Sequence, residues 1–336
     1  MERPIDFSRQ RHMLCGSCGH RWVTDLNWID RWDQARERCP GCGVTCEAEA
    51  APRVTVDPHD LALSDSNVAQ LNWYHTSTQP DWPTPYFDPA AELTQETRQR
   101  MGGDSHVIRW AERQRAKALH VGTYEAAIHN MLRRIDDQGD RGAQFYLYRV
   151  RLVPTLSVRK GWLIDPSNFV GDVVLNEVCS PGTDVARYLN YHEDPGALSL
   201  ALGRTAIDST QRVAIPLPSK EKPPWGVEAI GELDSASVIA PAPTGSRPLG
   251  RRRMPSPRTN RARELAASLA RGLPVNLRWQ FESAAVFGDD LVPADWACYV
   301  RGVVDLILDP ARVLGALDGQ LLRQLRAGQS GSGEHI

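Results

Sequence analysis

At 336 residues, with 41% hydrophobic and 24% charged residues and a formal net charge of −2, the chain has room for two domains and a small appendage. No run approaches the roughly 18–20 apolar residues of a membrane span, so no membrane partner is expected, and the near-neutral charge argues against wholesale coating of nucleic acid. The opening Met1-Glu2-Arg3-Pro4-Ile5-Asp6 lacks the basic-then-apolar order of a secretory leader, which makes a cytoplasmic setting the expectation.

Cys15-Gly16-Ser17-Cys18 and Cys39-Pro40-Gly41-Cys42 form two C-x-x-C knuckles. In a reducing compartment this spacing means metal rather than disulfides. Four thiolates close a tetrahedral site that suits structural Zn2+ and leaves no open position for catalysis. The pattern Cys15-x-x-Cys18-Gly19-His20-x-Trp22 followed by Cys39-Pro40-x-Cys42 resembles zinc-ribbon modules and is assigned to residues 10–48. Gly16, Gly41 and Gly43 allow backbone N–H groups to face sulfur, and Trp22 and Trp28 are expected to pack on the knuckles. His20 and Cys46 read as bystanders. Arg11, His12, Arg21, Arg31, Arg36 and Arg38 offer contacts to nucleic acid, but Asp25, Asp30, Asp33 and Glu37 are interleaved with them.

Residues 47–70 read as a connector. Leu71–Ser77 follows as an aromatic strand ending in His75-Thr76-Ser77, and then a proline-broken loop from Gln79 to Pro85 of the kind that carries ligand contacts. Residues 92–101 and 105–118 have helical composition. His120-Val121-Gly122-Thr123 reads as a strand end, a tight turn and a helix capped by Thr123, whose core stripe is Ile128, Met131, Leu132 and Ile135. Such a junction suits a phosphate-bearing ligand and equally an ordinary turn between strand and helix. Gln144–Val153 is the clearest strand; Gly171–Val178, Ala197–Leu202 and Gln211–Pro216 are further strands, with a polar turn through Asn190-Tyr191-His192-Glu193-Asp194-Pro195-Gly196. The sum is an α+β domain over residues 68–218. Phosphate-loop, dinucleotide-fingerprint, zinc-protease and nucleophile-elbow signatures are missing from the sequence.

Three pieces in order, Tyr74-His75-Thr76-Ser77, His120-Val121-Gly122-Thr123 with Ala126 and Ala127, and Asn190-Tyr191-His192-Glu193, resemble the ADP-ribosyltransferase superfamily, in its divergent bacterial and phage-type members. The resemblance covers residues 71–216. It implies a mixed β-core with flanking helices and NAD as substrate. It also implies NAD contacts from His75, Thr76, His120, Gly122, Thr123 and Tyr124, and catalysis by His75 and Glu193. His120 or Tyr124 stands in for the second-motif tyrosine, and Thr76 for the glycine common after the first histidine. Glu177 is the rival to Glu193. The implied partners are NAD and an unidentified macromolecular acceptor, nucleic acid or protein; the alternative is a non-catalytic, zinc-dependent binding module on a degenerate transferase fold.

Residues 219–259, rich in proline and arginine, read as a flexible linker. Residues 260–327 read as a helical region for docking or self-association, with helices over Arg261–Arg271, Pro293–Leu308 and Pro310–Arg326, and residues 328–336 as a disordered tail.

Overall fold

The computed structural model describes residues 1–91, 93–137, 140–164, 173–218, 224–237, 255–286 and 291–325. Strands β1 (Arg11–Cys15) and β2 (Arg21–Thr24), helix α1 (Leu26–Asp33) and strand β3 (Pro52–Thr55) make the N-terminal module. Its antiparallel sheet runs β2-β1-β3. The third strand falls in the stretch read as a connector, so the module extends past residue 48. A short helix α2 (Asp65–Val68) leads to β4 (Trp73–Ser77), helices α3 (Gln95–Arg100) and α4 (Asp104–Ala116), β5 (Leu119–Val121) and α5 (Tyr124–Asp137). Then come β6 (Phe145–Leu152), β7 (Leu163–Ile164), α6 (Leu175–Val178), β8 (Val185–Leu189), β9 (Leu198–Leu202) and β10 (Ile207–Ile215). Five helices, α7 (Pro224–Ser237), α8 (Pro257–Ala270), α9 (Val275–Ala284), α10 (Pro293–Leu308) and α11 (Pro310–Asp318), precede a last strand β11 (Arg323–Gln324).

The α+β class expected from the sequence holds. Two four-stranded sheets, β11-β10-β6-β4 and β5-β9-β8-β7, meet where β4 touches β5. There Tyr74 and Gly122 exchange both backbone hydrogen bonds at 2.9 Å. The two strand ends that carry His75 and His120 are thereby locked side by side.

Several expectations are corrected. Leu175–Val178 is a helical turn, not a strand, and residues 165–172 lie outside the described part. β8 went unread because Arg187 interrupts its apolar run. That arginine is buried, and its guanidinium donates to the carbonyls of Ala62, Leu63, Arg159 and Gly161 and to Asp65. The stretch read as a linker contains α7, which opens on Pro224 and buries Ala229 and Leu233. Helix α8 starts earlier than Arg261, with Ser256 as its cap and Pro257 in its first turn. Pro274 occupies the N-cap position of α9, a helix absent from the sequence reading, and α11 ends at Asp318 so that the chain can return as β11 beside β10. The C-terminal helices do not stand apart. Trp296, Val300, Val304, Phe281, Leu233 and Ala266 share one core with Ile128, Met131 and Leu132 of α5 and Phe145 and Leu147 of β6. The tail read at 328–336 lies outside the described residues.

Candidate functional site

The two knuckles are built alike. Cys15 N–H donates to the His20 carbonyl at 3.0 Å and Gly19 N–H to the Cys15 carbonyl at 2.9 Å; the matching bonds, Cys39 to Val44 and Gly43 to Cys39, are 2.9 and 2.8 Å. Gly19 and Gly43 sit at φ of +71° and +75°, so each turn closes through a left-handed glycine one residue past its second cysteine. The sequence signal for this is C-x-x-C-G, present at both knuckles. Gly41 serves close approach instead, since a Cβ there would lie 2.8 Å from the His20 Cβ.

Cys15, Cys18, Cys39 and Cys42 place their sulfurs within 4.8 Å of one another. The Cys15–Cys42 and Cys18–Cys39 separations are both 3.8 Å. A tetrahedron with Zn–S bonds of about 2.3 Å has edges of about 3.8 Å, so the donor set fits a zinc-sized cation. In this crowded setting two of the thiols are shifted in opposite directions. Burial raises the Cys15 thiol, but N–H donors from Cys18 and Ser17 and the Cys39 sulfur bring it down to about 7. The His20 N–H lowers Cys18, yet burial and the crowding of Cys42, Cys15 and Cys39 push it up to about 12. Four crowded sulfurs cannot all ionise without a cation among them. His20 turns aside and stacks on Trp22, which begins an aromatic series through Trp28 to Trp32.

At the strand junction, His75 Nδ1 lies 2.9 Å from the His120 carbonyl, which fixes Nδ1–H as the donor and leaves Nε2 as an acceptor. The ring stacks on Trp82 with centroids 4.0 Å apart. Trp82 belongs to the proline-broken loop, whose backbone is held by Tyr148 (hydroxyl to the Gln79 carbonyl, 2.6 Å) and by Arg323 of β11 (to the Asp81 carbonyl, 2.7 Å). Thr76 donates to the Ala127 carbonyl at 2.9 Å and so anchors β4 on α5. His120 faces Tyr188, with 3.3 Å from Nδ1 to the hydroxyl.

Burial, then the nearby Arg134 charge, pulls the His75 pKa from 6.5 down to about 3. His129 is pushed the same way, chiefly by burial. Both stay neutral in the fold and take up protons on unfolding. Stability from His75 is therefore complete above about pH 6.5 and falls as pH drops towards 3, and His129 acts in the same direction. The His75 contribution lost at pH 5 is on the order of 1–2 kcal/mol. Urea midpoints between pH 7 and 5 check this: His75→Gln flattens the profile.

Gly122 is required for space rather than for a left-handed turn. A Cβ there would meet Ser199 Oγ at 2.9 Å and the Ala126 Cβ at 3.0 Å. Gly122→Ala is expected to lower stability by about 1–3 kcal/mol, read as a shift of the denaturation midpoint. Thr123 caps α5 as expected, accepting from Ala126 N–H at 3.0 Å. Tyr124 turns into the core and donates to the Leu306 carbonyl at 2.9 Å, so its hydroxyl is engaged by the fold. A cavity of about 480 Å³ beside this helix start is lined by Tyr74, Thr123, Tyr124 and Glu125, and not by His75, Thr76, His120 or Glu193.

Glu193 lies between β8 and β9 in a loop organised by Asn190, whose side-chain oxygen accepts the N–H groups of His192, Glu193 and Asp194 at 2.9–3.2 Å. The His129 ring binds the Glu193 carbonyl at 2.8 Å, and the carboxylate meets Arg133 at 2.8 Å. Helix α5 is thus the element common to both halves: it holds β4 through Ala127 and Glu193 through His129 and Arg133. Glu177, by contrast, is exposed on α6. Arg133 has no place in the sequence reading, and Asn190 and Trp82 stand there within a turn and a loop without roles of their own. Only Asn190 left a local signal, an Asn opening the Asp-Pro-Gly turn. No protein-family model, curated protein or solved structure matches the chain.

Proposed function

We propose that the chain is a Zn2+-stabilised transferase that cleaves NAD and passes ADP-ribose to a macromolecular acceptor. The observation that carries this reading is the junction of the two sheets. There a neutral His75, fixed through Nδ1, stands beside the His120 strand end, and α5 ties that junction to a loop presenting Glu193. The reaction breaks the bond between the nicotinamide ribose C1′ and the ring nitrogen, nicotinamide leaves, and an acceptor nucleophile bonds to C1′ as it loses its proton. Positive charge develops on the ribose, as in glycoside cleavage, and the Glu193 carboxylate stabilises it. His75 offers Nε2 as an acceptor for a sugar hydroxyl without a pH-dependent charge. Zn2+ on Cys15, Cys18, Cys39 and Cys42 is structural, because the four ligands fill its coordination shell.

A second reading rests on one feature. The Glu193 carboxylate is already paired with Arg133, and Trp82 covers one face of His75, an arrangement that suits a binding protein without turnover. Loss of NAD and transfer of labelled ADP-ribose, measured for wild type, His75→Ala and Glu193→Ala, separate the two. The transferase reading expects activity that both substitutions remove; equal rates in all three proteins reject the site.

A further inference from the structure

The N-terminal module does more than fold beside the α+β domain. Along β1, Arg11, Met13 and Cys15 share the buried face of the strand, and Arg11 and Cys15 are 3% and 0% exposed. Cys15 is one of the four clustered thiols, and Arg11 stands about 13 Å away along the strand. Its Nη2 lies 3.2 Å from Asp194 Oδ1, where Arg9 also binds at 2.6 Å. The second Asp194 oxygen accepts from Thr123 Oγ1 at 2.6 Å, and the carboxylate is completely enclosed. Asp194 directly follows Glu193, and Asn190 binds both their N–H groups. The loop backbone also lies against the ribbon itself: at Gly196, φ +87°, a Cβ would come 3.2 Å from the Thr55 carbonyl of β3 and 3.8 Å from Arg11 Cδ.

We propose that the metal-loaded ribbon is a splint for the loop between β8 and β9: the four sulfurs fix β1, and Arg11, with Arg9, holds Asp194 and so sets the position of Glu193. Arg11 is then a positioning residue. The catalytic consequence of this coupling rests on the transferase reading, whereas the coupling itself does not.

Hydrogen exchange on the full chain tests it, with zinc bound and after removal by a chelator. Chelation is expected to speed exchange across residues 190–197 by about tenfold or more while β6 and β10 keep their protection. Arg11→Ala, with zinc retained, is expected to loosen the same loop, and Arg11→Lys to restore much of its protection. A loop that stays protected after chelation overturns the proposal. So does protection lost equally from β6 and β10, since the metal would then hold the whole fold rather than this loop. If Arg11→Ala fails to fold, exchange of the wild type with and without zinc still decides. No step of this test reads NAD turnover, so a coupled loop in a protein that leaves NAD intact rejects the transferase reading alone.

Discussion

Cys39→Ser is expected to abolish stoichiometric zinc binding and to melt the β2-β1-β3 sheet. The reason lies in how little apolar packing that module has. Met13, Leu26, Trp32 and Val54 are buried, yet among the described residues none of them joins the larger apolar clusters of the molecule. A small module without its own core depends on a cross-link, and structural zinc supplies apparent binding free energies of about 10–16 kcal/mol in isolated finger peptides at neutral pH. Cys39 is buried at 3% exposure, and serine there leaves three thiols and a poorer donor. Metal content by elemental analysis should fall from one zinc per chain to near zero, with exchange protection lost from residues 11–24 and 52–55. Retention of stoichiometric zinc by Cys39→Ser contradicts the four-thiolate assignment.

On the transferase reading, Glu193→Gln is expected to lower the rate of NAD cleavage by roughly 10²–10³-fold, with the affinity for NAD nearly unchanged. The substitution keeps the size of the side chain and removes the charge that would face the developing cation. The Arg133 partner is 30% exposed, so solvent takes over its solvation and the folding cost stays within about 1 kcal/mol. A thermal melt taken alongside separates chemistry from unfolding. On the same reading His75→Ala should act differently, weakening NAD binding more than it slows the step that follows, because the proposed role of the histidine is to orient a sugar without a charge.

How much of this was legible in the sequence varies with the range of the interactions concerned. The knuckles were, because a metal site is written in spacing: two C-x-x-C pairs specify both turns and the donors. So were Thr123 and the stripe Ile128, Met131, Leu132 and Ile135, since a cap and a helical period are local features. The ring of acceptors that lets Arg187 sit inside β8 was not, because Asp65 and the carbonyls of Ala62 and Leu63 are supplied from more than a hundred residues away. Helix α7 was hidden for the same reason: its proline- and glycine-bearing segment is stabilised by the neighbours it packs on, α8 and α10, rather than by its own propensity. At the candidate site, His75, His120 and Glu193 could be named, but their settings could not. The Nδ1 bond, the Arg133 pair and the Arg9–Arg11–Asp194 clamp join distant parts of the chain, and the Trp82 stack depends on how the proline-broken loop turns back on β4.

The most direct test of the transferase account is a crystal structure with a non-hydrolysable NAD analogue bound to the zinc-loaded chain. The account predicts the analogue at the β4–β5 junction, with a sugar hydroxyl on His75 Nε2 and the nicotinamide ribose within hydrogen-bond reach of the Glu193 carboxylate. An analogue seated elsewhere, with Glu193 still closed on Arg133 and His75 still stacked under Trp82, would contradict it.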